Sequence, residues 1–166
     1  MSRQGASTLS PSSSTIAWWK YDVFLSFRGV DTRQSFTDHL LAALKRKGIQ
    51  TFKDDEELDR GKSILSELLK AIEESRFAII IFSKNYASSR WCLDELAEIV
   101  RCSEEKGLTI LPIFYDVDPY VIRKQTDTFG QAFNKHEDEE NIKKVKTWRD
   151  ALKKVANLSG WHLQNR

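Results

Sequence analysis

Arg28 and Gly29 stand side by side near the start of the chain, and Ser89, Trp91, Asp94 and Glu95 lie close together in its middle. A guanidinium suits a phosphate, and a glycine lets the backbone approach one closely. With an aromatic ring and a carboxylate opposite, the set suits a nucleotide whose sugar lies beside the acid. The same residues have plainer uses. Glu95 also reads as a solvated helix residue, Asp94 as a first-turn acid favoured by the helix dipole, and Trp91 as a packing residue. Residue types alone leave both readings open.

Several other chemistries fail on pattern. The chain contains no G-x-G-x-x-G, no G-x-x-x-x-G-K-[ST] and no G-x-S-x-G. His39, His136 and His162 are far apart and form no metal pair, and Cys92 and Cys102 have no Cys or His beside them, so no metal site is expected. A phospho-receiver needs acids after its first strand and an aspartate ending its third. Here the corresponding stretches are Ser26-Phe27-Arg28 and Phe82-Ser83-Lys84.

The candidate residues need a scaffold, and strands and helices alternate along the chain. Tyr21 to Phe27 is a β-branched and aromatic run that stops at Gly29. Helical spacing follows over 32–47, with Phe36, Leu40, Leu41 and Leu44 on one side and Gly48 as the stop. Ile49 to Phe52 reads as a short strand, 53–61 as a charged loop and 63–75 as a second helix. The unbroken apolar run Phe77 to Phe82 reads as a strand covered on both faces, which points to a parallel sheet. A third helix is expected over 91–105, ending at Gly107, and a strand over Thr109 to Tyr115. Pro112 in that strand suggests an edge position or a local break in the ladder. Residues 119–136 mix loop and helix, and a last helix covers 140–158.

That alternation predicts an α/β fold, a flavodoxin-like doubly wound five-stranded parallel sheet of order 2-1-3-4-5 with helices on both faces. Ligands in such sheets bind outside the carboxyl ends of the strands, between strands one and three. The segments 27–31, 83–86 and 88–95 fall there.

The bulk numbers fit one such domain. The 166 residues carry 26 basic and 24 acidic side chains, a net charge of +2. Neither nucleic acid nor membrane is expected from that balance, and no stretch approaches an 18-residue apolar span. Two cysteines make no disulfide framework, so a reducing compartment is expected. Residues 1–17 are rich in Ser and Thr, lack a signal-peptide core, and read as a disordered leader to a domain over 18–166.

Three motifs then make the pattern specific. Residues 21–33 (YDVFLSFRGVDTR), 89–96 (SRWCLDEL) and 158–161 (LSGW) resemble, in order and spacing, plant Toll/interleukin receptor (TIR) domains. The resemblance covers about residues 20–163 and is similar to the N-terminal domain of nucleotide-binding, leucine-rich-repeat disease-resistance receptors. It implies a TIR-only protein or a fragment, with NB-ARC and LRR domains of the same receptor as partners in the second case. It implies cytoplasmic residence and leaves nuclear residence open. It also implies hydrolysis of NAD⁺ and NADP⁺ at the nicotinamide–ribose bond, the dinucleotide being substrate and no cofactor being needed. Nicotinamide, ADP-ribose and variant cyclic ADP-ribose are the implied products, acting as signals for defence and cell death.

By the same resemblance the essential glutamate is Glu95. Phe27, Arg28 and Gly29 line the nucleotide site, Arg33 and Arg60 approach it, and Ser89 and Trp91 flank the carboxylate. Self-association into a homodimer or higher oligomer is implied too, through the helix over 32–47 and the last helix, and through the region near Gly130. Asp38, His39, Gly130 and Trp148 are the interface positions carried over. Two departures stand out. Asp38 replaces the serine of a Ser-His pair, and Tyr120-Val121-Ile122 stands after Asp118-Pro119 where Ser-Asp-Val is usual. A non-catalytic adaptor that signals by homotypic contact is the alternative.

Overall fold

The apolar run that ends at Phe82 becomes the centre of the sheet. The structure, a computed structural model, describes residues 19–32, 36–53 and 62–163. The leader, Arg33 and residues 54–61 of the charged loop, with Arg60, lie outside the described residues, while Lys53 ends a strand. Five strands pair in the order β2-β1-β3-β4-β5: β1 Tyr21–Ser26, β2 Thr51–Lys53, β3 Ser75–Phe82, β4 Thr109–Tyr115 and β5 Trp161–Leu163. Every pairing is parallel, as in Leu25 with Ile79 and Phe82 with Phe114. The expected sheet order is observed.

The helices are α1 Gly29–Thr32, α2 Asp38–Arg46, α3 Lys62–Glu73, α4 Arg90–Lys106, α5 Pro119–Lys124, α6 Asp127–Glu139 and α7 Ile142–Ala156. Side chains alternate across a strand, so each strand serves two cores. Phe24, Ile80, Phe82 and Phe114 pack under α3, α4, α6 and α7. Val23, Leu25, Ile79 and Ile81 face the other way, toward Phe36, Leu40 and Leu41 beside and within α2. Each large aliphatic or aromatic side chain buried this way contributes about 1.5–3 kcal/mol.

This division corrects one expectation. The helix over 32–47, seen as α2, and the last helix, α7, lie on opposite faces of the sheet. They cannot form one continuous self-association patch. Periodicity identified the apolar side of α7, but it does not say which face of the sheet that side meets.

Pro112 proves to be a local feature rather than an edge marker. Its strand lies between β3 and β5, and pairing to β5 begins one residue later, at Ile113. The chain enters β5 through Gly160, where an added Cβ would lie 2.9 Å from the Pro112 ring and closer still to its carbonyl oxygen. Only glycine fits that crossing. The mixed stretch resolves into α5 and α6. Asp118 caps α5, accepting a hydrogen bond from the Tyr120 N–H at 2.9 Å, with Pro119 in the first turn. Ile122 is fully buried, which gives the departure at that position a packing role, whereas Tyr120 is exposed.

Candidate functional site

α4 begins where the sequence places it. Ser89 is the N-cap, its Oγ accepting a hydrogen bond from the Cys92 N–H at 3.1 Å, and Gly107 ends the helix in the left-handed conformation at φ 78°. A residue expected to flank the carboxylate thus also sets the start of the helix that carries it. One turn in, the Cys92 thiol reaches the Phe27 carbonyl at 3.6 Å, holding the first turn of α4 against the end of β1.

Glu95 points inward along this contact and is only 1% exposed. Ser26, the last residue of β1, donates its hydroxyl to Glu95 Oε1 at 2.7 Å. With that hydrogen committed, Ser26 Oγ is the acceptor in its 2.8 Å contact with the Tyr86 hydroxyl, whose one hydrogen is shared between Ser26 and the Cys92 carbonyl at 3.1 Å. Ser26 and Tyr86 are both fully buried. The carboxylate therefore sits at the carboxyl end of the first strand, anchored by a hydroxyl pair that spans β1, the 3-10 turn Tyr86–Ser88 and α4. Sequence reasoning gave Ser26 and Tyr86 no role. The available signal was alternation: Ser26 shares the strand face of Phe24, the face that α4 covers.

Asp94, one residue earlier, takes a different side of α4. It accepts a hydrogen bond from the Trp148 indole N–H at 3.2 Å and lies 3.9 Å from Lys144 Nζ. Burial pushes its carboxyl above the usual range, against the pull of Lys144 and of the Trp148 hydrogen bond. It lines a groove of about 600 Å³ between α3, α4 and α7, together with Glu98, Arg101 and Lys154. In that groove Arg101 binds Glu73 and Glu98 at 2.8 and 2.7 Å, and Lys154 pairs with Glu104. Burial works to raise the Glu98 carboxyl, but Arg101 outweighs it and the net shift is downward. Cys102, buried beside Glu98, has its thiol pushed up to about 11.

Arg28, the expected phosphate cation, is partly exposed at 27% and pairs with Asp31 at 3.3 Å. The second oxygen of Asp31 accepts from the Ser83 hydroxyl at 2.6 Å and the Asn85 N–H at 3.0 Å. Asp31 thus ties Arg28 to the loop after β3, at the carboxyl ends of the two strands flanking the crossover. Phe27 is buried, Gly29 opens α1, and Trp91 is half-buried in the first turn of α4. The structure brings Phe27, Ser89 and Glu95 to one end of the sheet, with Arg28 at the neighbouring strand ends. Arg33 and Arg60 lie outside the described residues.

The interface positions separate. Asp38 and His39 are exposed on α2. Gly130 packs so closely that an added Cβ would lie 2.8 Å from the Gln125 carbonyl oxygen, so its identity already has a reason within the chain. Trp148 is corrected: at 1% exposure it is an interior residue, stacked edge-on with His136 at 5.2 Å and bound to Asp94. Among the described residues no three His, Cys, Asp or Glu side chains converge as a metal set, and no helix is long and apolar enough to cross a membrane.

Residues 20–166 match the family model for the TIR domain. The chain is 61% identical over 144 residues to the disease resistance protein RPV1 of Vitis rotundifolia, covering 86% of this chain and 10% of that protein. It is 53% identical over 151 residues to the TMV resistance protein N of Nicotiana glutinosa, covering 90% and 13%. The chain therefore spans about a tenth of the length of these curated relatives. Among solved structures, the TIR domains of the activated Roq1 resistosome superpose with a TM-score of 0.79 at 57% identity, covering 88% of this chain and 89% of theirs.

Proposed function

Because the chain belongs to the TIR domain family, we propose that it hydrolyses NAD⁺ and NADP⁺ at the nicotinamide–ribose bond, with Glu95 as the carboxylate beside the ribose. The placement of Glu95 supports this reading: a buried carboxylate, fixed by Ser26 at 2.7 Å, at the carboxyl end of the first strand where doubly wound sheets bind ligands. As the glycosidic C–N bond breaks, its electron pair leaves with neutral nicotinamide and the ribose gains oxocarbenium character. A carboxylate there stabilises that charge, in a setting where nearby water competes poorly. Water then adds to the anomeric carbon and releases a proton, leaving ADP-ribose; attack by the adenine of the same molecule would give a cyclic product instead. No strong general acid is needed, since the leaving group departs neutral. Arg28, oriented by Asp31, is suited to the diphosphate.

In its biological setting this activity belongs to a longer resistance receptor in the cytoplasm or nucleus, as an immune signal switched on when TIR domains associate. The Roq1 structure is described as an activated resistosome that directly recognises a pathogen effector. A second copy of this chain is the partner this reading requires, with the exposed α2 positions Asp38 and His39 as its contact. Concentrated protein incubated with NAD⁺ is expected to release nicotinamide, and Glu95→Ala to release none above background. Equal release by the two proteins would sink the reading.

One observation favours the alternative of a non-catalytic homotypic adaptor. Glu95 is almost wholly enclosed, so the single chain presents little of its carboxylate to a substrate. Turnover that stays at background as protein concentration rises, beside light scattering that reports association, would select the adaptor.

A further inference from the structure

The proposed reaction depends on one side chain, Glu95, and that side chain has to point one way. A glutamate has three rotatable bonds, so an unrestrained carboxylate at a helix start would sample several positions. Here the restraint is visible. Ser26 donates to Oε1 at 2.7 Å, Tyr86 lies 2.8 Å from Ser26 Oγ, and the Tyr86 hydroxyl reaches the Cys92 carbonyl at 3.1 Å, three residues before Glu95 on the same helix. These interactions link three elements that are 60 and 69 residues apart in sequence to one carboxylate oxygen. Tyr86 is itself wedged, its ring meeting Phe82 edge-on at 5.1 Å. A ring held by packing is a rigid support for a hydroxyl.

We propose that Ser26 and Tyr86 are positioning residues for the NAD⁺-cleaving carboxylate, Ser26 acting directly on Glu95 and Tyr86 acting through Ser26 and through its contact with the helix that carries Glu95. This rests on the hydrolase reading above. Neither hydroxyl touches substrate in this scheme. Ser26 sets the direction of the carboxylate, and Tyr86 sets the direction of Ser26. The hydroxyl of Ser26 is a hydrogen-bond donor to a group that acts as an anion, which makes it the stronger of the two interactions.

Two consequences distinguish positioning from mere filling of a buried polar site. Losing the Ser26 hydroxyl must lower kcat more than it raises KM, because the groups that bind the substrate remain. The Tyr86 effect must also shrink once Ser26 is gone, because part of its path to Glu95 runs through that oxygen.

The test is nicotinamide release from NAD⁺ by the whole chain at one protein concentration, with melting temperatures measured alongside. Wild type, Ser26→Ala, Tyr86→Phe, the double variant and Glu95→Ala are compared. Ser26→Ala is expected to lower kcat by about 10- to 100-fold, the range for loss of a hydrogen bond to a charged group, with KM within about threefold. Tyr86→Phe, which keeps the ring, is expected to lower kcat by about 3- to 10-fold. The double variant should lose clearly less than the product of the two single losses, and Ser26→Thr should recover much of the activity. Wild-type kcat in both single variants overturns the proposal while leaving the hydrolase reading intact. So does a double variant whose loss is the product of the two single losses, because the hydroxyls would then act independently. A wild type no more active than Glu95→Ala removes the hydrolase reading, and this inference with it. Where Ser26→Ala lowers the melting temperature sharply, Tyr86→Phe decides: an unchanged kcat in a folded Tyr86→Phe protein overturns the relay.

Discussion

Asp94 and Glu95 are consecutive, carry the same functional group, and meet surroundings of different kinds. Glu95 lies under the carboxyl end of β1 and is gripped by a serine hydroxyl that a tyrosine supports. Asp94 faces the groove toward α7, where the indole of Trp148 binds it and Lys144 lies 3.9 Å away. Both placements follow from a helix turning about 100° per residue, which sends neighbours to different sides. On one side of α4 a carboxylate is held still among hydroxyls. On the other, Arg101, Glu73, Glu98, Lys154 and Glu104 form a mesh of ion pairs that ties three helices together. Adjacency in sequence therefore says little about shared purpose. The groove side holds the fold, and the strand-end side is the candidate for chemistry.

The largest expected effect tests the structural side. Trp148→Ala removes a ring that is 1% exposed, empties the space against His136, and takes the donor from Asp94. Its cost is expected to be about 3–5 kcal/mol, read as a fall in the denaturation midpoint. Nicotinamide release per folded molecule should stay near the wild-type rate. A stable Trp148→Ala protein that lost activity would erase the distinction between the two sides.

Glu95→Ala tests the other side. Its activity should drop by at least about a hundredfold, the scale of losing one electrostatic stabiliser at a reacting centre. Ser26 keeps Tyr86 as a hydrogen-bond partner in that variant, so the melting temperature should move less than in Trp148→Ala. A variant that melted as early as Trp148→Ala would show that Glu95 is chiefly a structural carboxylate.

How far these two sides could be read from sequence differs. The sheet was legible because Phe77 to Phe82 is continuously apolar and helices of ordinary length separate the strands. β5 was not read as a strand, since Trp161-His162-Leu163 is three residues long with two of them exposed. α5 and α6 blurred together because Gln125, after α5, and Asp127, the first residue of α6, both adopt φ 54°, and neither is a glycine that would announce the break. The acid motif was legible as a run of letters, and the family match selected Glu95 over Asp94. The hydroxyl anchor was not legible. It depends on which strand end lies under α4, and that follows from register rather than from any local pattern. Trp148 was misplaced for a related reason, because an apolar helix face can meet either the core or a partner.

Ser89→Ala touches both sides at once. Its hydroxyl caps the helix that presents both acids, and loss of such a cap costs about 1 kcal/mol. Thermal melting should show that loss. A severalfold decline in kcat should accompany it, because the first turn holds Cys92 against Phe27. A decline in kcat as deep as that of Glu95→Ala would make Ser89 part of the reacting site rather than a cap.

Asp94→Asn carries the smallest expected effect and the clearest sign. The Asp94 carboxyl is raised in the folded chain, first by burial, with Lys144 and Trp148 opposing. The folded state therefore binds this proton more readily than the unfolded chain, whose aspartates titrate near about 3.9. The stabilising contribution is present in full below that value and is lost as pH rises through the raised one. At neutral pH the ionised group is a cost that asparagine does not carry, and the amide oxygen can still accept from Trp148. Asp94→Asn should thus gain on the wild type as pH rises from 4 to 7, by no more than about 0.5 kcal/mol, because the attraction to Lys144 that the variant gives up subtracts from the gain without cancelling it, being weak at an exposed side chain. Melting temperatures of both proteins at the two pH values measure this directly. A variant that instead falls behind between pH 4 and 7 would mean that the Lys144 pair outweighs burial, and the groove side of α4 would owe more to its charges than to its packing.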